Sequence, residues 1–154
     1  DKKVTRAKFS EIIVKALGLT ASKGEIPFKD IKEEEILKGY IKTALNYNIV
    51  KGYGNSRFGP KDKVTREQAM VMIARGMAIA RVENKLTEKE MKDMIKNYNK
   101  GNKPSDYALK GVTTCLKNNI VVGKSDKDLS PKSYITRAEV AVIIKRMLLK
   151  LGLI

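Results

Sequence analysis

Three arginines that each follow a threonine carry the chemistry that this sequence indicates most clearly: Arg6, Arg66 and Arg137. A planar guanidinium can pair a carboxylate through two parallel hydrogen bonds. Each preceding threonine is typical of a helix N-cap, so the arginines are expected at helix N-termini, where unpaired N–H groups and the helix dipole favour an anion. Because a cation opposes the dipole at that end, helix stability alone does not explain the repetition. The pattern indicates contact with an anionic ligand, and a salt bridge between repeats is the alternative.

The composition removes most catalytic chemistry. The chain has no histidine and one cysteine, which excludes Ser-His-Asp hydrolysis, Cys-His nucleophiles and nearly all zinc sites. Cys115 is expected to be a small buried apolar residue. Asp126 and Asp128 supply too few oxygen ligands for calcium, and no carboxylate pair recurs at a position that suits an acid and a base. We therefore expect no enzymatic activity, no metal and no cofactor.

The charge balance is strongly basic. Lys and Arg number 32 against 17 for Asp and Glu, which gives a formal net charge of +15 in 154 residues. Such a charge favours an anionic partner by long-range attraction, and nucleic acid, an anionic cell wall polymer and acidic lipid all satisfy it. No apolar run approaches the ~18 residues of a membrane span. Membrane insertion is therefore not expected, and the oligomeric state is left open.

The sequence repeats internally. A shift of 71 residues lays 41–75 over 112–146 without a gap, and a shift of 60 residues lays 4–6 over 64–66. The matched pairs include identical glycines, prolines and arginines: Gly52/Gly123, Pro60/Pro131 and Arg75/Arg146. The Thr-Arg segment thus occurs three times and the segment that leads into it twice. We predict three units, which are the closing helix of a truncated first repeat at 1–20, a second repeat at 21–82 and a third at 83–154.

Helix signals recur in each unit. Apolar residues at helical spacing predict two lead helices and three closing helices: 36–48 and 107–119, then 6–17, 66–79 and 137–151. Thr65 and Thr136 open capping boxes, as does Thr87 in a connecting helix, whereas Lys8 breaks the box that Thr5 would open. The closing helices are apolar over a wide face, so they must pack on each other.

These units resemble a known repeat. Phe-Lys-Asp at 28–30, Gly-Tyr-Gly-Asn-Ser-Arg-Phe-Gly-Pro at 52–60 and Val-Thr-Arg-Glu-Gln-Ala at 64–69 are similar to the S-layer homology repeat of bacterial surface proteins. Its pattern runs Phe-x-Asp, a helix that starts with an aromatic residue and Ala, Gly-Ile-Ile-x-Gly, Phe-x-Pro and Ile-Thr-Arg-Ala-Glu. The segment 135–139 matches the last of these letter for letter. The resemblance covers nearly the whole chain.

The units also depart from that pattern. In the last unit Lys100 stands where the pattern has Asp, although Tyr107 keeps the aromatic helix start. The middle unit keeps Asp30 but has Ile36 in place of the aromatic residue. The first unit has only its closing helix, so one groove between repeats is expected to be incomplete.

The resemblance implies an all-α fold with pseudo-threefold symmetry, in which the closing helices form a central three-helix bundle and the helix-loop segments project as prongs. In that family, grooves between repeats hold an acidic, often pyruvylated secondary cell wall polysaccharide. The implied function is non-catalytic anchoring of an extracellular protein to the cell wall or S-layer of a bacterium with a Gram-positive type of envelope. The implied partner is the anionic polysaccharide.

The candidate ligand-binding residues combine the arginines with loop and aromatic positions of the repeat: Arg6, Arg66, Arg137, Asp30, Gly52, Tyr53, Gly54, Tyr107, Gly123 and Lys124. Simpler interpretations stay open for several of them. Glycines are common in turns, Asp30 could cap a loop instead of holding a sugar hydroxyl, and Tyr107 at a helix start could belong to the core.

A basic helical nucleic-acid-binding protein is the alternative function. Such a protein would present one helix to the major groove. Here the repeated arginines are at cap positions, the helices are too apolar to offer a base-reading face, and the other basic residues form no stripe. We therefore do not expect a nucleic-acid partner.

Overall fold

The computed structural model describes residues 2–98, 102–125 and 127–154. Lys100 and Asp126, which enter the sequence argument, lie outside the described residues. The helices are α1 (Arg6–Ala16), α2 (Glu35–Asn46), α3 (Arg66–Ile79), α4 (Glu88–Ile95), α5 (Leu109–Lys117) and α6 (Arg137–Lys150), with one turn of 3₁₀ helix at Asp106–Ala108. The described residues contain isolated β-bridges and no strand, which confirms the all-α class. None of these helices has the length and apolarity to cross a membrane.

The predicted helix starts are confirmed at their caps. The hydroxyls of Thr5, Thr65 and Thr136 accept hydrogen bonds from the backbone N–H three residues later, at 3.3, 3.3 and 3.2 Å. The capping box is complete at α3 and α6. It is incomplete at α1, because Lys8 has no acceptor to return to the cap N–H.

A closed ring of backbone hydrogen bonds joins the starts of α1, α3 and α6. The N–H of Val4 donates to the carbonyl of Ile135 at 3.2 Å. The N–H of Ile135 donates to Val64 and that of Val64 to Val4, both at 2.9 Å. All three residues are buried. Water cannot reach their N–H and C=O groups, so these groups must bond to each other.

The closing helices pack both on each other and on lead helices. Helix α1 contacts α3 and α6, and it packs along α2. Helix α3 packs along α5, and α5 also contacts α4. Each of these two closing helices therefore lies against the lead helix of the following unit. The three-unit division at 1–20, 21–82 and 83–154 and its pseudo-threefold symmetry stay predictions.

Two glycines at helix contacts give a test of this packing. A Cβ on Gly111 of α5 would lie 2.7 Å from Cα of Val71 in α3, whereas a Cβ on Gly76 would make ordinary contacts of 3.4–3.5 Å with Leu17 and Ile13. Gly111→Ala should destabilise the fold by about 2 kcal/mol, because backbone must move. Gly76→Ala should stabilise it by up to about 1 kcal/mol through helix propensity. Urea unfolding measures both, and an unchanged midpoint for Gly111→Ala would contradict the α3–α5 contact.

Candidate functional site

Two equivalent grooves lie between successive units. Groove A has a volume of about 320 Å³ and is lined by these residues: Arg6, Val50, Lys51, Gly52, Tyr53, Gln68, Val71, Met72, Arg75 and Tyr107. Groove B has a volume of about 340 Å³ and is lined by these residues: Arg66, Val121, Val122, Gly123, Lys124, Ala138, Glu139, Val142, Ile143 and Arg146. The internal repeat maps most of one lining onto the other. The structure thus brings seven of the ten predicted site residues into two clefts, apart from Arg137, Asp30 and Gly54.

Arg6 holds the loop that forms one wall of groove A. Its side chain is 6% exposed. Nε donates to the carbonyl of Phe58 at 2.9 Å and Nη2 to that of Lys51 at 2.8 Å. The guanidinium also lies 4.3 Å from the ring centre of Tyr53, a cation–π distance. Burial lowers the pKa of Arg6, which the nearby Tyr53 and Asp62 partly offset.

Arg66 makes the equivalent contact in groove B and adds an ion pair. Nε donates to the carbonyl of Leu129 at 3.2 Å. Nη1 lies 2.7 Å from Oε1 of Glu139 in α6. Arg66 therefore forms a salt bridge between repeats, which was the alternative to ligand contact in the sequence analysis. Arg137 is exposed and lies outside both grooves, and ligand contact by the three arginines stays a prediction.

The loop positions have structural roles that the sequence only partly indicates. Asp30 accepts hydrogen bonds from the N–H of Phe58 at 2.9 Å and of Gly59 at 2.7 Å, so it caps the loop behind groove A. Burial alone would raise the pKa of Asp30, but these hydrogen bonds lower it. A Cβ on Gly52 would collide with the ring of Phe28. Gly54 has φ +89° and is an exposed turn residue.

Tyr107 forms the rim of groove A and is not a core residue, since it is 60% exposed. Its hydroxyl donates to Oε1 of Glu67 at 3.2 Å. Partial burial and the Glu67 carboxylate raise the pKa of Tyr107 to about 12. Glu67 is in turn fixed by Ser105 at 2.9 Å and by Nζ of Lys132 at 2.7 Å. This network brings a side chain of the third unit to groove A, whose other lining residues come from the first and second units.

Arg75 and Arg146 also line the grooves, and they are not among the residues predicted from the sequence. Arg75 is partly buried, and burial lowers its pKa; Tyr107 partly offsets this, and no carboxylate is among the groups that act on it. Within the described part of the chain Arg75 has no carbonyl or carboxylate partner, whereas Arg146 donates to the carbonyl of Ile120 at 3.4 Å. The repeat alignment could have indicated both arginines, because it pairs three basic residues at this position: Lys15, Arg75 and Arg146. Lys15 differs because it is paired with Glu11 at 2.6 Å.

Both grooves are lined by cationic side chains, and groove A is also lined by the rings of Tyr53 and Tyr107. Groove A contains no carboxylate, and the single carboxylate of groove B, Glu139, is paired with Arg66. Cys115 is buried, which raises the pKa of its thiol. In the described ranges no group of carboxylates or cysteine has the arrangement of a metal site.

The fold and the two grooves define a helical repeat module whose clefts lie between successive units. The sequence model of the S-layer homology domain family matches residues 27–70 and 101–141 of this chain. The chain therefore belongs to the S-layer homology family, whose domains are cell-surface anchoring modules without catalytic activity.

Curated relatives share this segment within much longer proteins. The exoglucanase XynX of Acetivibrio thermocellus is 30% identical over 97% of this chain, which spans 13% of that protein. The amylopullulanase of Thermoanaerobacterium thermosulfurigenes is 33% identical over 99% of this chain and 8% of its own length. A surface layer protein of Brevibacillus choshinensis is 32% identical over 50% of this chain and 7% of its own length. The chain thus spans a small share of each of them.

The buried arginine contacts predict unequal effects on stability. Arg66→Ala should lower the free energy of unfolding by about 2 kcal/mol, because Glu139 and the Leu129 carbonyl lose a partner in a partly desolvated place. Arg137→Ala should change it by less than about 0.5 kcal/mol, since the side chain is exposed. Thermal unfolding of both variants measures the difference. Equal midpoints would show that Arg66 does not hold the units together.

The Glu67 network predicts an acid-sensitive contact. Burial would raise the pKa of Glu67, but the Lys132 and Ser105 hydrogen bonds lower it below 4.5. Its stabilisation is therefore present above about pH 4.5 and lost as the pH falls through the lower folded pKa. The stability gap between wild type and Glu67→Gln should narrow on titration from about pH 6 to pH 3. The exposed Glu25→Gln is the control, and a constant gap for Glu67→Gln would contradict the assignment.

Proposed function

We propose that this chain is a non-catalytic anchoring module that binds an acidic, pyruvylated secondary cell wall polysaccharide in grooves A and B. One observation carries the proposal. Arg75 places a partly buried guanidinium in groove A without a protein anion to neutralise it. No side-chain nitrogen or oxygen of the described residues is both fully buried and unpartnered, so the donors of Arg75 are open to water in the groove, and a ligand carboxylate can replace that water through two parallel hydrogen bonds.

The walls of groove A suit a sugar that carries the carboxylate. Tyr53 and Tyr107 are both partly exposed at the groove, at 45% and 60%, and offer apolar ring faces together with hydroxyl groups. The volume of about 320 Å³ is at the lower end of ligand pockets, which supports a small unit of a polymer. Groove B repeats the arrangement with Arg146 and with Lys124 in place of Tyr53.

Anchoring is supported by the relatives. Proteins named as an exoglucanase, an amylopullulanase and a surface layer protein share this segment although their names describe different activities. A segment common to them serves a purpose that is independent of those activities. We place this chain at the bacterial cell surface, where the net charge of +15 favours an acidic wall polymer.

The arginines of the two grooves test the proposal. Arg75→Gln and Arg146→Gln should each remove one groove, and the double variant should lose wall binding by about 10- to 150-fold, as expected for a charged hydrogen bond of about 1.5–3 kcal/mol. The thermal midpoint of Arg75→Gln should stay unchanged, because no carboxylate is among the groups that act on Arg75, whereas Arg146→Gln also loses a hydrogen bond to the carbonyl of Ile120. Sedimentation with purified walls, before and after removal of their secondary polymer, measures binding. Lys89→Gln, an exposed change on α4, is the charge-matched control.

Salt dependence separates this proposal from nucleic-acid binding. Duplex DNA affinity falls by roughly 10³ to 10⁵ between 50 and 200 mM salt for a protein with six to ten phosphate contacts. A groove that also contacts sugar hydroxyls should lose less. Tight duplex binding with the steep slope, together with no binding to walls, would favour the nucleic-acid alternative.

A further inference from the structure

A second cavity adjoins groove A. It has a volume of about 330 Å³ and lies between α3 and α5. It shares three lining residues with groove A, namely Val71, Arg75 and Tyr107. The two spaces therefore meet at a guanidinium and a phenol ring.

Small side chains create the second cavity. Ala74 and Ala78 on α3 face it across from Gly111 on α5. The 71-residue shift pairs these two alanines with Lys145 and Leu149 on α6. Longer side chains stand at those positions, and neither of them is part of the lining of groove B. We therefore expect the extension at groove A and not at groove B.

The lining of the second cavity suits a neutral or weakly polar sugar ring. Val82, Ala74 and Ala78 supply an apolar wall. Lys110 and Glu83 are exposed at its edge and offer a donor and an acceptor for hydroxyl groups. Asn84 is already committed, because its side chain donates to Thr113 at 2.9 Å and accepts from the N–H of Leu86 at 2.8 Å.

Arg75 can serve both spaces at once. A guanidinium has five N–H donors in a planar fork, and Arg75 lines both spaces with no protein hydrogen bond among the causes that shift its pKa. Two donors suffice for a carboxylate in groove A, which leaves others for a hydroxyl in the second cavity. Tyr107, held by Glu67 at 3.2 Å, forms the common wall.

We propose that groove A and the second cavity form one extended site for two consecutive sugars of an acidic polysaccharide. The sugar with the carboxylate occupies groove A at Arg75, and its neighbour occupies the second cavity between α3 and α5. Groove B holds the acidic sugar alone. This inference rests on the proposed function and adds the length of ligand that each groove recognises.

The experiment compares a pyruvate-ketal monosaccharide with the disaccharide that carries it at one end. Titration calorimetry is done in an Arg146→Gln background, so that groove A alone is measured. The disaccharide should bind about tenfold more tightly than the monosaccharide. Ala78→Phe fills the second cavity and should abolish this advantage while monosaccharide affinity is kept. Leu149→Phe, at the matched position on α6, should keep it.

The outcomes separate the two proposals. If neither sugar binds to the chain without substitutions, the proposed function is contradicted, and the extended site is contradicted with it. If both sugars bind equally, or if Ala78→Phe leaves the advantage intact, the second subsite alone is overturned. Lys110→Gln is a second variant that removes a donor at the cavity edge from an exposed position, and it should reduce the advantage even if Ala78→Phe folds poorly. Thermal midpoints establish the folding of each variant.

Discussion

The ring of hydrogen bonds among Val4, Val64 and Ile135 is the constraint on which the rest of the structure depends. These groups are buried, and an unmade backbone hydrogen bond in such a place costs about 1–3 kcal/mol. The ring fixes the residue before each threonine cap, so the three closing helices start from one point. From that point Arg6 and Arg66 reach the loop of the following unit, where each donates to a backbone carbonyl.

Burial then divides the arginines into two kinds. The guanidinium of Arg6 is buried and donates to the carbonyls of Phe58 and Lys51, as a buried charge requires. Arg75 lies nine positions further along the equivalent helix and has no such acceptor within the described part of the chain. The first kind shapes the groove wall and the second faces the groove. An arginine of a closing helix is therefore held by backbone carbonyls or left open to the groove, according to what the neighbouring unit places beside it.

The elements of this fold were predictable because their signals are local. Threonine caps and helical periodicity located the six α-helices of the described residues, with ends that differ by a few residues. Helix α5, for example, starts at Leu109 after a 3₁₀ turn instead of at Tyr107. The site was only partly predictable. Asp30 was ambiguous because a loop cap and a ligand contact require the same carboxylate, and Arg75 was missed because it stands within an apolar helix. Tyr107 lines groove A, where its hydroxyl donates to Glu67, a residue 40 positions away in sequence, and such a contact has no local signal.

The two grooves differ although their linings repeat, because each is completed by residues of another unit. Groove A receives Tyr107 from the third unit, and α5 packs along α3 with Gly111 against Val71, which leaves the second cavity open beside Arg75. Groove B contains Arg146 in the same place but has no aromatic rim in its lining. Arg137 starts a third helix of the same kind and is exposed, whereas Arg6 and Arg66 are each covered by the following loop. Repetition of the sequence thus yields grooves with similar linings and different surroundings, since the surroundings are set by the neighbour that packs against each closing helix.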